Sequence, residues 1–302
     1  MYDIIIIGAG PAGLTAAIYA MRADKNILLI EKENFGGQIT FSPKVENYPG
    51  FASISGSELA EQLLDQVMSY GAQIEMATVS KVIDHGTHKT VVTDYGDFDG
   101  KTVIIATGSK HRHLGLSNEL ELIGNGISYC AVCDGAFYNG KDVAVIGGGN
   151  TALQEAVMLS EYCTSVTIIQ NLSFMTGEGK LLKILESKNN VKMIYDSIVT
   201  EFLADDTLRG VAIKNTKDGS VAEVKVDGVF VAIGQQPENE PFADLTALND
   251  YGYIISDENC RTDTEGVFVA GDCRTKGVRQ VTTATADGAV AALAACRFID
   301  NL

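Results

Sequence analysis

The segment Tyr2-Asp3-Ile4-Ile5-Ile6-Ile7-Gly8-Ala9-Gly10-Pro11-Ala12-Gly13 decides the fold of this chain. Its apolar run predicts a buried strand, and the Gly-x-Gly-x-x-Gly that follows precedes a helix predicted from Leu14 to about Ala23. In a turn of this kind Gly8 allows the tight bend, Gly10 lets a pyrophosphate approach the backbone, and Gly13 lets the helix pack on the strand. The segment therefore predicts a βαβ unit that binds a dinucleotide, with Ala12 among the residues of its turn.

An acidic residue stands where such a unit holds a ribose. The second strand is predicted from Asn26 to Ile30, and Glu31 follows it, 18 residues after Gly13. A carboxylate at this strand end accepts hydrogen bonds from an adenosine ribose in dinucleotide-binding folds. The alternative is an ordinary acid in solvent, but the preceding turn favours the ribose ligand.

A second unit of the same kind starts at Lys141. A strand is predicted from Lys141 to Ile146, Gly147-Gly148-Gly149-Asn150-Thr151-Ala152 repeats the turn, and a helix is predicted to about Tyr162. The C-terminal segment again holds an apolar strand and an Ala-rich helix, predicted from Thr285 to Asp300, so we expect it to rejoin the first unit. The predicted fold class is α/β with two Rossmann-like dinucleotide-binding domains. The first is discontinuous, formed by residues 1–113 and 241–302, and the smaller second domain is inserted as residues 114–240.

Between the two turns lies Cys130-Ala131-Val132-Cys133-Asp134-Gly135, which holds the only Cys-x-x-Cys in 302 residues. This spacing lets two sulfurs close a small ring and is typical of a redox dithiol. Asp134 is a candidate to shuttle the proton that thiol exchange requires, the alternative being a turn residue before Gly135. Zinc is the alternative for the pair, but the other four cysteines are single, and His111 and His113 are only two residues apart. We expect a redox dithiol.

Composition limits the classes of partner. The net charge of −16 disfavours nucleic acid and anionic membrane surfaces, because the field of the protein repels polyanions. The sequence shows neither an apolar run long enough to span a membrane nor a signal peptide, so we expect a cytoplasmic protein. The four cysteines outside the pair are expected to be small buried apolar groups.

Other segments fit a cofactor site or define local elements. Gly36-Gly37-Gln38 and Val45-Glu46-Asn47-Tyr48-Pro49-Gly50 predict an irregular loop that lines the cofactor. A strand over 102–106 delivers Ala106-Thr107-Gly108, and a strand over 266–271 ends in Asp272, an acid suited to a ribityl hydroxyl. Arg279-Gln280-Val281 precede the last helix, whose N-terminus would stabilise negative charge on a reduced flavin.

The segment between these cofactor stretches predicts local structure only. Ser55 and Glu58 have the spacing of a capping box at the start of a helix ending at Tyr70. Three short segments predict a small antiparallel excursion. They are Gln73–Ala77, Lys81–Asp84 and Lys89–Thr93.

Taken in order, these motifs resemble the low-molecular-weight thioredoxin reductases over nearly the whole chain. A Cys-x-x-Cys-Asp just upstream of the second glycine turn marks this family. The resemblance implies a homodimer with FAD in the first domain, Cys133 next to the flavin, Cys130 attacking the disulfide of thioredoxin, and Asp134 relaying the proton. It implies cofactor contacts from the residues Gly8, Gly10, Ala12, Gly13, Glu31, Gly37, Gln38, Asn47, Gly108, Asp272, Arg279, Gln280 and Val281.

The chain departs from the family at the second strand of the second unit. Members that use NADPH carry His-Arg-Arg-x-x-x-Arg there, and the matching positions are Gln170, Asn171, Leu172 and Thr176. No Lys or Arg occurs from Asp142 to Gly179. A 2′-phosphate would lack charge-assisted partners, and Gln170 offers the ribose diol of NADH an amide instead of a carboxylate.

The departure resembles the branch of the family that takes electrons from reduced ferredoxin, so the sequence predicts ferredoxin as donor. Against it, ferredoxins are acidic like this chain, and docking would need a local basic patch. The alternatives are an NADPH- or NADH-dependent thioredoxin reductase or related disulfide reductase, and a non-catalytic flavin-binding protein, which would have no use for the dithiol. A reductase of the ferredoxin-NADP type, a third alternative, lacks the dithiol but needs the pyridine nucleotide site, whereas this chain has the dithiol and departs from the nucleotide motif.

Overall fold

The computed structural model describes residues 1–42 and 44–302, which divide into two compact units. Unit 1 comprises Met1–Lys110 and Gln236–Leu302, and unit 2 comprises His111–Gln235. The boundaries expected from the sequence lie three and five residues further along the chain. The α/β class with two Rossmann-like units, one of them discontinuous in sequence, is confirmed. Which dinucleotide each unit takes stays a prediction.

Within the described residues, the strands in chain order are β1 (Tyr2–Ile7), β2 (Ile27–Glu31), β3 (Gln73–Met76), β4 (Val79–Asp84), β5 (Lys89–Thr93), β6 (Asp97–Ile105), β7 (Lys110–His111), β8 (Ile127–Ser128), β9 (Asp142–Ile146), β10 (Ser165–Ile169), β11 (Val191–Ile194), β12 (Ser197–Ala204), β13 (Leu208–Asn215), β14 (Val221–Lys225), β15 (Gly228–Val231), β16 (Gln235–Gln236) and β17 (Val267–Val269). The helices are α1 (Pro11–Arg22), α2 (Gly56–Ser69), α3 (Ala131–Asp134), α4 (Asn150–Leu159), α5 (Gly179–Glu186) and α6 (Val281–Asp300).

Unit 1 is built on a sheet of order β3-β2-β1-β6-β5-β4, with β17 paired to β6. Strands β3, β2, β1, β6 and β17 are parallel, and β5 and β4 add an antiparallel edge. The sequence-based placement of Gln73–Ala77 in an antiparallel excursion was wrong, because β3 pairs parallel with β2. The strand is short and partly exposed, so its sequence carries no signal for its partner.

Alternate residues of β1 face opposite sides of this sheet. Ile4 and Ile6 belong to an apolar cluster with α1 and α6, whereas Ile5 and Ile7 belong to a cluster on the other face. Burying one such side chain fully stabilises the fold by roughly 1.5 to 3 kcal/mol. Because β1 is buried on both faces, the loops at its carboxyl end rest on a rigid support.

Helix boundaries differ from the sequence-based ones at two N-termini. Helix α1 begins at Pro11, which is tolerated in a first helical turn, and α6 begins at Val281 with Gln280 as N-cap, four residues before the predicted start. The β-branched residues at the start of α6 hide the helical pattern. The capping box of Ser55 and Glu58 at the start of α2 is confirmed.

Unit 2 repeats the arrangement in a parallel sheet of order β11-β10-β9-β15-β8. Strand β9 is buried on both faces, with Val143 and Val145 on the side of α4 and Ala144 and Ile146 on the side of β12 and β13. The antiparallel sheet β12-β13-β14 and helix α5 were not predicted, since no glycine turn marks them. The strands β7 and β16 pair where the chain passes between the units.

Candidate active site

The first glycine turn has the geometry expected from its sequence. Gly8 has φ +103°, and a Cβ there would lie 2.4 Å from the Ala106 carbonyl oxygen. A Cβ on Gly13 would lie 1.8 Å from the Gly8 carbonyl oxygen, so helix and strand need both glycines. A Cβ on Gly10 would have no neighbour closer than 4.0 Å. The turn is thus closed on its strand side and open where a pyrophosphate would approach.

Glu31 lies against this turn. Its Oε2 accepts the N–H of Ala9 at 2.7 Å, and its Oε1 accepts the N–H groups of Lys32 and Glu33 at 2.9 and 2.8 Å. The carboxylate is therefore fixed by the backbone at the end of β2. An ionised carboxylate has about four acceptor positions, so capacity remains for a ribose hydroxyl.

The predicted cofactor loop folds back onto the turn. The N–H of Gly36 donates to the Ala9 carbonyl at 2.8 Å, and Gly37 lies against Gly10, with its would-be Cβ 3.5 Å from that Cα. Asn47 Nδ2 donates to Gln280 Oε1 at 3.3 Å. The structure thus joins the loop to the start of α6.

Gln38 and Gly108 are two further residues that the resemblance assigns to the cofactor site. Gln38 is exposed in the 3₁₀ helix Gly37–Phe41, and Gly108, with φ +69°, follows β6. Gly108 lies two residues beyond Ala106, whose carbonyl abuts Gly8. No contact joins Gln38 to the other predicted cofactor residues among the hydrogen bonds of the described residues.

Asp272 is the clearest sign of a ligand in unit 1. Its Oδ1 is buried and has no hydrogen-bond partner, and Lys276 Nζ is 4.0 Å away. Burial raises the pKa of this carboxyl to about 6, against the opposing charges of Lys276 and Arg279. A buried acceptor without a donor is rare in folded proteins, and this oxygen fits a hydroxyl group of a ligand.

Arg279, Gln280 and Val281 lie at the start of α6. Arg279 Nε donates to the Asp272 carbonyl at 3.2 Å, and its guanidinium lies 4.0 Å from the centre of the Tyr253 ring. Gln280 caps α6 and Val281 is its first residue. The open glycine turn, the fixed Glu31 and the unpartnered oxygen of Asp272 together fit FAD. When bound, FAD supplies two-electron chemistry.

In unit 2, Cys130 and Cys133 form a disulfide. Cys130 is the N-cap of α3, and its Sγ accepts the N–H of Cys133 at 3.2 Å. The remaining cysteines are buried thiols, and burial raises the pKa of Cys163 to about 11 and of Cys260 to about 12. The interpretation of these four as buried apolar groups is confirmed. In the described part of the chain no group of three or more metal-ligating side chains could hold a metal ion.

Asp134, at the C-terminal end of α3, is held by Ser128, which no sequence motif marks. Ser128 Oγ donates to Asp134 Oδ2 at 2.7 Å and accepts the N–H of Cys130 at 3.1 Å. Asp134 Oδ1 is buried without a partner. Burial raises the pKa of Asp134, and the Ser128 hydrogen bond opposes that rise. The Asp134 carboxyl therefore lies directly after Cys133 in the chain, with one oxygen held by Ser128 and the other unpartnered.

A second carboxyl contacts α3 from the other end. Glu155, in α4, accepts the N–H of Ala131 through Oε1 at 3.3 Å, and its Oε2 is buried without a partner. No sequence pattern marks Glu155, because one Glu within a helix pattern predicts only a solvated face. Its position depends on the packing of α4 against α3.

The second glycine turn differs from the first at the strand end. Gln170 is 4 % exposed, its Nε2 donates to the Phe174 carbonyl at 3.0 Å, and its Oε1 accepts the N–H of Asn171 at 3.1 Å. A Cβ on Gly148 would lie 2.3 Å from this amide. Gln170, the residue that matches Glu31, is thus buried, and its side-chain amide already bonds to neighbouring backbone groups. Asn171 and Leu172, which match the arginines, are exposed.

A two-unit α/β chain with a disulfide upstream of its second glycine turn defines a flavin-dependent disulfide oxidoreductase. Residues 2–288 match the family described as pyridine nucleotide-disulphide oxidoreductase. Within it, the chain belongs to the low-molecular-weight thioredoxin reductases, and FAD is the cofactor of this family.

Similar proteins span the whole chain. A Clostridium pasteurianum protein named "34.2 kDa protein in rubredoxin operon" is 43% identical, covering 98% of this chain and 97% of that protein. The thioredoxin reductase of Listeria monocytogenes is 41% identical, covering 100% and 95%. The crystal structure of thioredoxin reductase from Streptococcus pyogenes has a TM-score of 0.95 at 38% identity, covering 100% and 99%. These names do not support the ferredoxin-dependent branch that the sequence predicted.

Proposed function

We propose that this protein is a thioredoxin-disulfide reductase, which passes electrons from FAD through the Cys130–Cys133 pair to thioredoxin. The observation that carries the proposal is the Cys130–Cys133 disulfide at the start of α3. The last residue of this helix, Asp134, has one buried oxygen and is held by Ser128. Thioredoxin is the substrate named for its full-length relatives. The roles of Cys130 as attacking sulfur and of Cys133 as its flavin-side partner belong to the proposal.

The exchange starts from the reduced Cys130–Cys133 pair, which supplies the two electrons that thioredoxin takes up. The Cys130 thiolate attacks one sulfur of the thioredoxin disulfide, and the other sulfur leaves as a thiolate that takes a proton. The Cys133 thiolate then displaces thioredoxin from the mixed disulfide and restores the Cys130–Cys133 bond. Asp134 is the carboxyl that we assign to proton transfer in this exchange.

A pyridine nucleotide is the electron donor that the comparisons favour. The matched family is described by that substrate class, and relatives at 39 to 41% identity over the full chain are thioredoxin reductases. The open backbone at Gly149 agrees with it, since a Cβ there would lie no closer than 3.8 Å to its nearest neighbour.

Reduced ferredoxin is the second candidate, and the strand end of β10 favours it. Gln170 fills the space over Gly148 with a neutral amide, and no Lys or Arg occurs between Asp142 and Gly179. A donor that docks elsewhere would not need this site. We also propose the homodimer and the cytoplasmic location implied by the resemblance. In the described part of the chain, no helix is long and apolar enough to cross a membrane.

The test is anaerobic mixing of the FAD-loaded oxidised protein with NADPH, NADH or pre-reduced ferredoxin, followed by oxidised thioredoxin. Loss of visible flavin absorbance reports the donor, and free thiols on thioredoxin report the reductase reaction. Bleaching by NADPH or NADH establishes the nucleotide donor, and bleaching by ferredoxin alone establishes the second candidate. A protein that is reduced but leaves thioredoxin oxidised would contradict the proposed function.

A further inference from the structure

We propose that Glu155 is a second proton-holding carboxyl of the dithiol site, whose charge controls how readily the Cys130–Cys133 disulfide is reduced. The effect of Glu155 on the rate of thioredoxin reduction rests on the proposed function. The effect on the dithiol can be measured without thioredoxin.

Glu155 touches the helix that begins at the disulfide. Its Oε1 accepts the N–H of Ala131 at 3.3 Å, and Ala131 directly follows Cys130. The side chain is partly exposed as a whole, but Oε2 is buried and has no hydrogen-bond partner. An ionised carboxylate with one dry, unpartnered oxygen is unfavourable, so the position favours the neutral acid.

Two of the buried oxygens without a hydrogen-bond partner belong to residues at the disulfide site. Among the described residues, the buried side-chain atoms without a partner are Asp134 Oδ1, Glu155 Oε2 and Asp272 Oδ1. Asp272 lies in the proposed FAD site. Of the other two carboxyls, Asp134 is the last residue of α3, and Glu155 contacts the first residue of α3. Buried polar atoms without partners are exceptional in folded proteins, and a redox or catalytic role is one reason for them.

Reduction of a disulfide to two thiols consumes two protons, which explains why two carboxyls would lie near it. Two electrons break the S–S bond, and the two sulfurs together take up two protons when both become thiols. Asp134 can serve one of these protons. Glu155, with its pKa raised by burial to about 7, changes its charge in the range where thiols begin to ionise.

The sign of the coupling follows from charge. Well below pH 7 Glu155 is mostly protonated and does not oppose a thiolate at the start of α3. Above pH 7 its negative charge, held at the Ala131 N–H, disfavours the thiolate and therefore the reduced form. Conversely, reduction to a thiolate raises the proton affinity of Glu155, so Glu155 takes up an additional proton when the dithiol is reduced in alkaline solution.

The other titratable groups near Glu155 do not mimic this effect. Tyr162, downstream of α4, has its pKa raised by burial and by the charges of Cys163 and Glu155, above its ordinary value of 10.0. Asp134, Cys133 and the N-cap Cys130 remain in place in a variant at position 155. A difference between wild type and variant in the dithiol–disulfide equilibrium that appears only at alkaline pH therefore reports the charge of Glu155.

The experiment compares the wild type with Glu155→Gln, an isosteric mimic of the neutral acid. FAD-loaded protein is equilibrated with reduced and oxidised dithiothreitol at pH 6.0 and 8.5, and the thiols of Cys130 and Cys133 are trapped by alkylation and counted by mass. We expect equal equilibrium constants at pH 6.0. At pH 8.5 we expect the wild type to lie roughly fivefold further toward the disulfide.

Two variants control for shape and net charge. Glu155→Asp keeps an ionisable carboxyl and should retain a difference between the two pH values, whereas Glu186→Gln removes an exposed charge of unit 2 and should behave as wild type. An offset of Glu155→Gln that is the same at both pH values would indicate a structural role and overturn the proposal, as would no difference at either. Thioredoxin reduction by the wild type at pH 6.0, where Glu155 is neutral, tests the proposed function separately.

Discussion

At the scale of single residues, the dithiol site depends on which sulfur attacks thioredoxin. Cys130 caps α3 through its sulfur and Cys133 lies one turn later. The sequence could predict the pair and the carboxyl beside it, because spacing alone brings them together. It could not predict which side chains from other elements, such as Ser128 and Glu155, would contact them.

The assignment of Cys130 predicts which cysteine variant traps the substrate. We expect Cys133→Ser to form a stable mixed disulfide with a thioredoxin that has one active-site cysteine, activated by thionitrobenzoate. The Cys130 thiolate displaces thionitrobenzoate, and no second thiol remains to release thioredoxin. Cys130→Ser should form no such complex. Non-reducing gels and mass spectrometry distinguish them, and trapping by Cys130→Ser alone would reverse the two roles.

Ser128 provides a pH-dependent prediction. Its hydrogen bond lowers the pKa of Asp134 against the larger effect of burial, so Ser128→Ala should raise that pKa further. Steps that need the Asp134 carboxylate as a base should then require a higher pH. We expect the acidic limb of the rate of thioredoxin reduction to move to higher pH.

Asp134→Asn and Ser160→Ala are the reference variants for this measurement. Asp134→Asn should reduce the rate by roughly 100-fold or more, as for loss of a general acid–base group. Ser160→Ala removes another buried hydroxyl of unit 2, which bonds the Val157 carbonyl, and should leave the pH profile in place. A Ser128→Ala profile that coincides with the wild type would show that the hydrogen bond does not tune Asp134.

At the scale of elements, the glycine turns were predictable because a short sequence motif contains the glycines that the turn requires for steric reasons. Gly8 and Gly13 face backbone atoms that leave no room for a Cβ. The direction of β3 was not predictable, because its partner β2 is distant in sequence. The start of α6 was not predictable, because β-branched residues follow an uncommon N-cap. Gln280 is not a common N-cap residue, and its box with Thr283 forms only in the folded chain.

Helix α6 is held to the Asp272 segment by a buried charge cluster. Asp287 is 8 % exposed and accepts hydrogen bonds from Arg274 at 2.9 and 3.1 Å, from Lys276 at 2.8 Å and from the Gly271 N–H at 3.1 Å. Burial alone would raise the pKa of Asp287, but Arg274 and Lys276 together lower it. The cluster fixes the backbone on both sides of Asp272.

Asp287→Asn should therefore destabilise unit 1 and weaken FAD binding. It leaves the buried Arg274 without its counter-ion, which costs roughly 3 to 5 kcal/mol. The release of flavin fluorescence on heating measures both effects. Asp300→Asn, at the exposed end of the same helix, should cost less than about 1 kcal/mol. Because the pKa of Asp287 is lowered, its contribution is present above the ordinary carboxyl pKa of 3.8 and is lost as the pH falls below it.

At the scale of the whole molecule, the net charge of −16 acts on any anionic donor. Long-range repulsion slows the approach of an acidic ferredoxin and of a nucleotide alike, and salt screens it. If ferredoxin reduces this protein, we expect the rate of flavin bleaching to rise with ionic strength. A rate that falls with salt would instead reveal a local basic docking patch.

The strand end of β10 sets the choice between nucleotides. NADPH differs from NADH by a 2′-phosphate, and the segment that would hold it offers the neutral side chains Gln170, Asn171 and Leu172. We therefore expect NADPH to bind no more than about threefold more tightly than NADH, because each missing charge-assisted contact would have contributed roughly 1.5 to 3 kcal/mol. Flavin bleaching at graded nucleotide concentrations measures both affinities.

Restoring two of the cations should restore the preference. The double variant Asn171→Arg with Leu172→Arg places guanidinium groups at exposed positions that match the family's arginines, and we expect the ratio of NADH to NADPH dissociation constants to rise about tenfold or more, which corresponds to about 1.4 kcal/mol. Leu120→Arg with Val221→Arg adds the same two charges at exposed positions elsewhere in unit 2 and should leave the ratio unchanged. A wild-type protein that already prefers NADPH a hundredfold would show that the 2′-phosphate is held by residues outside 142–179.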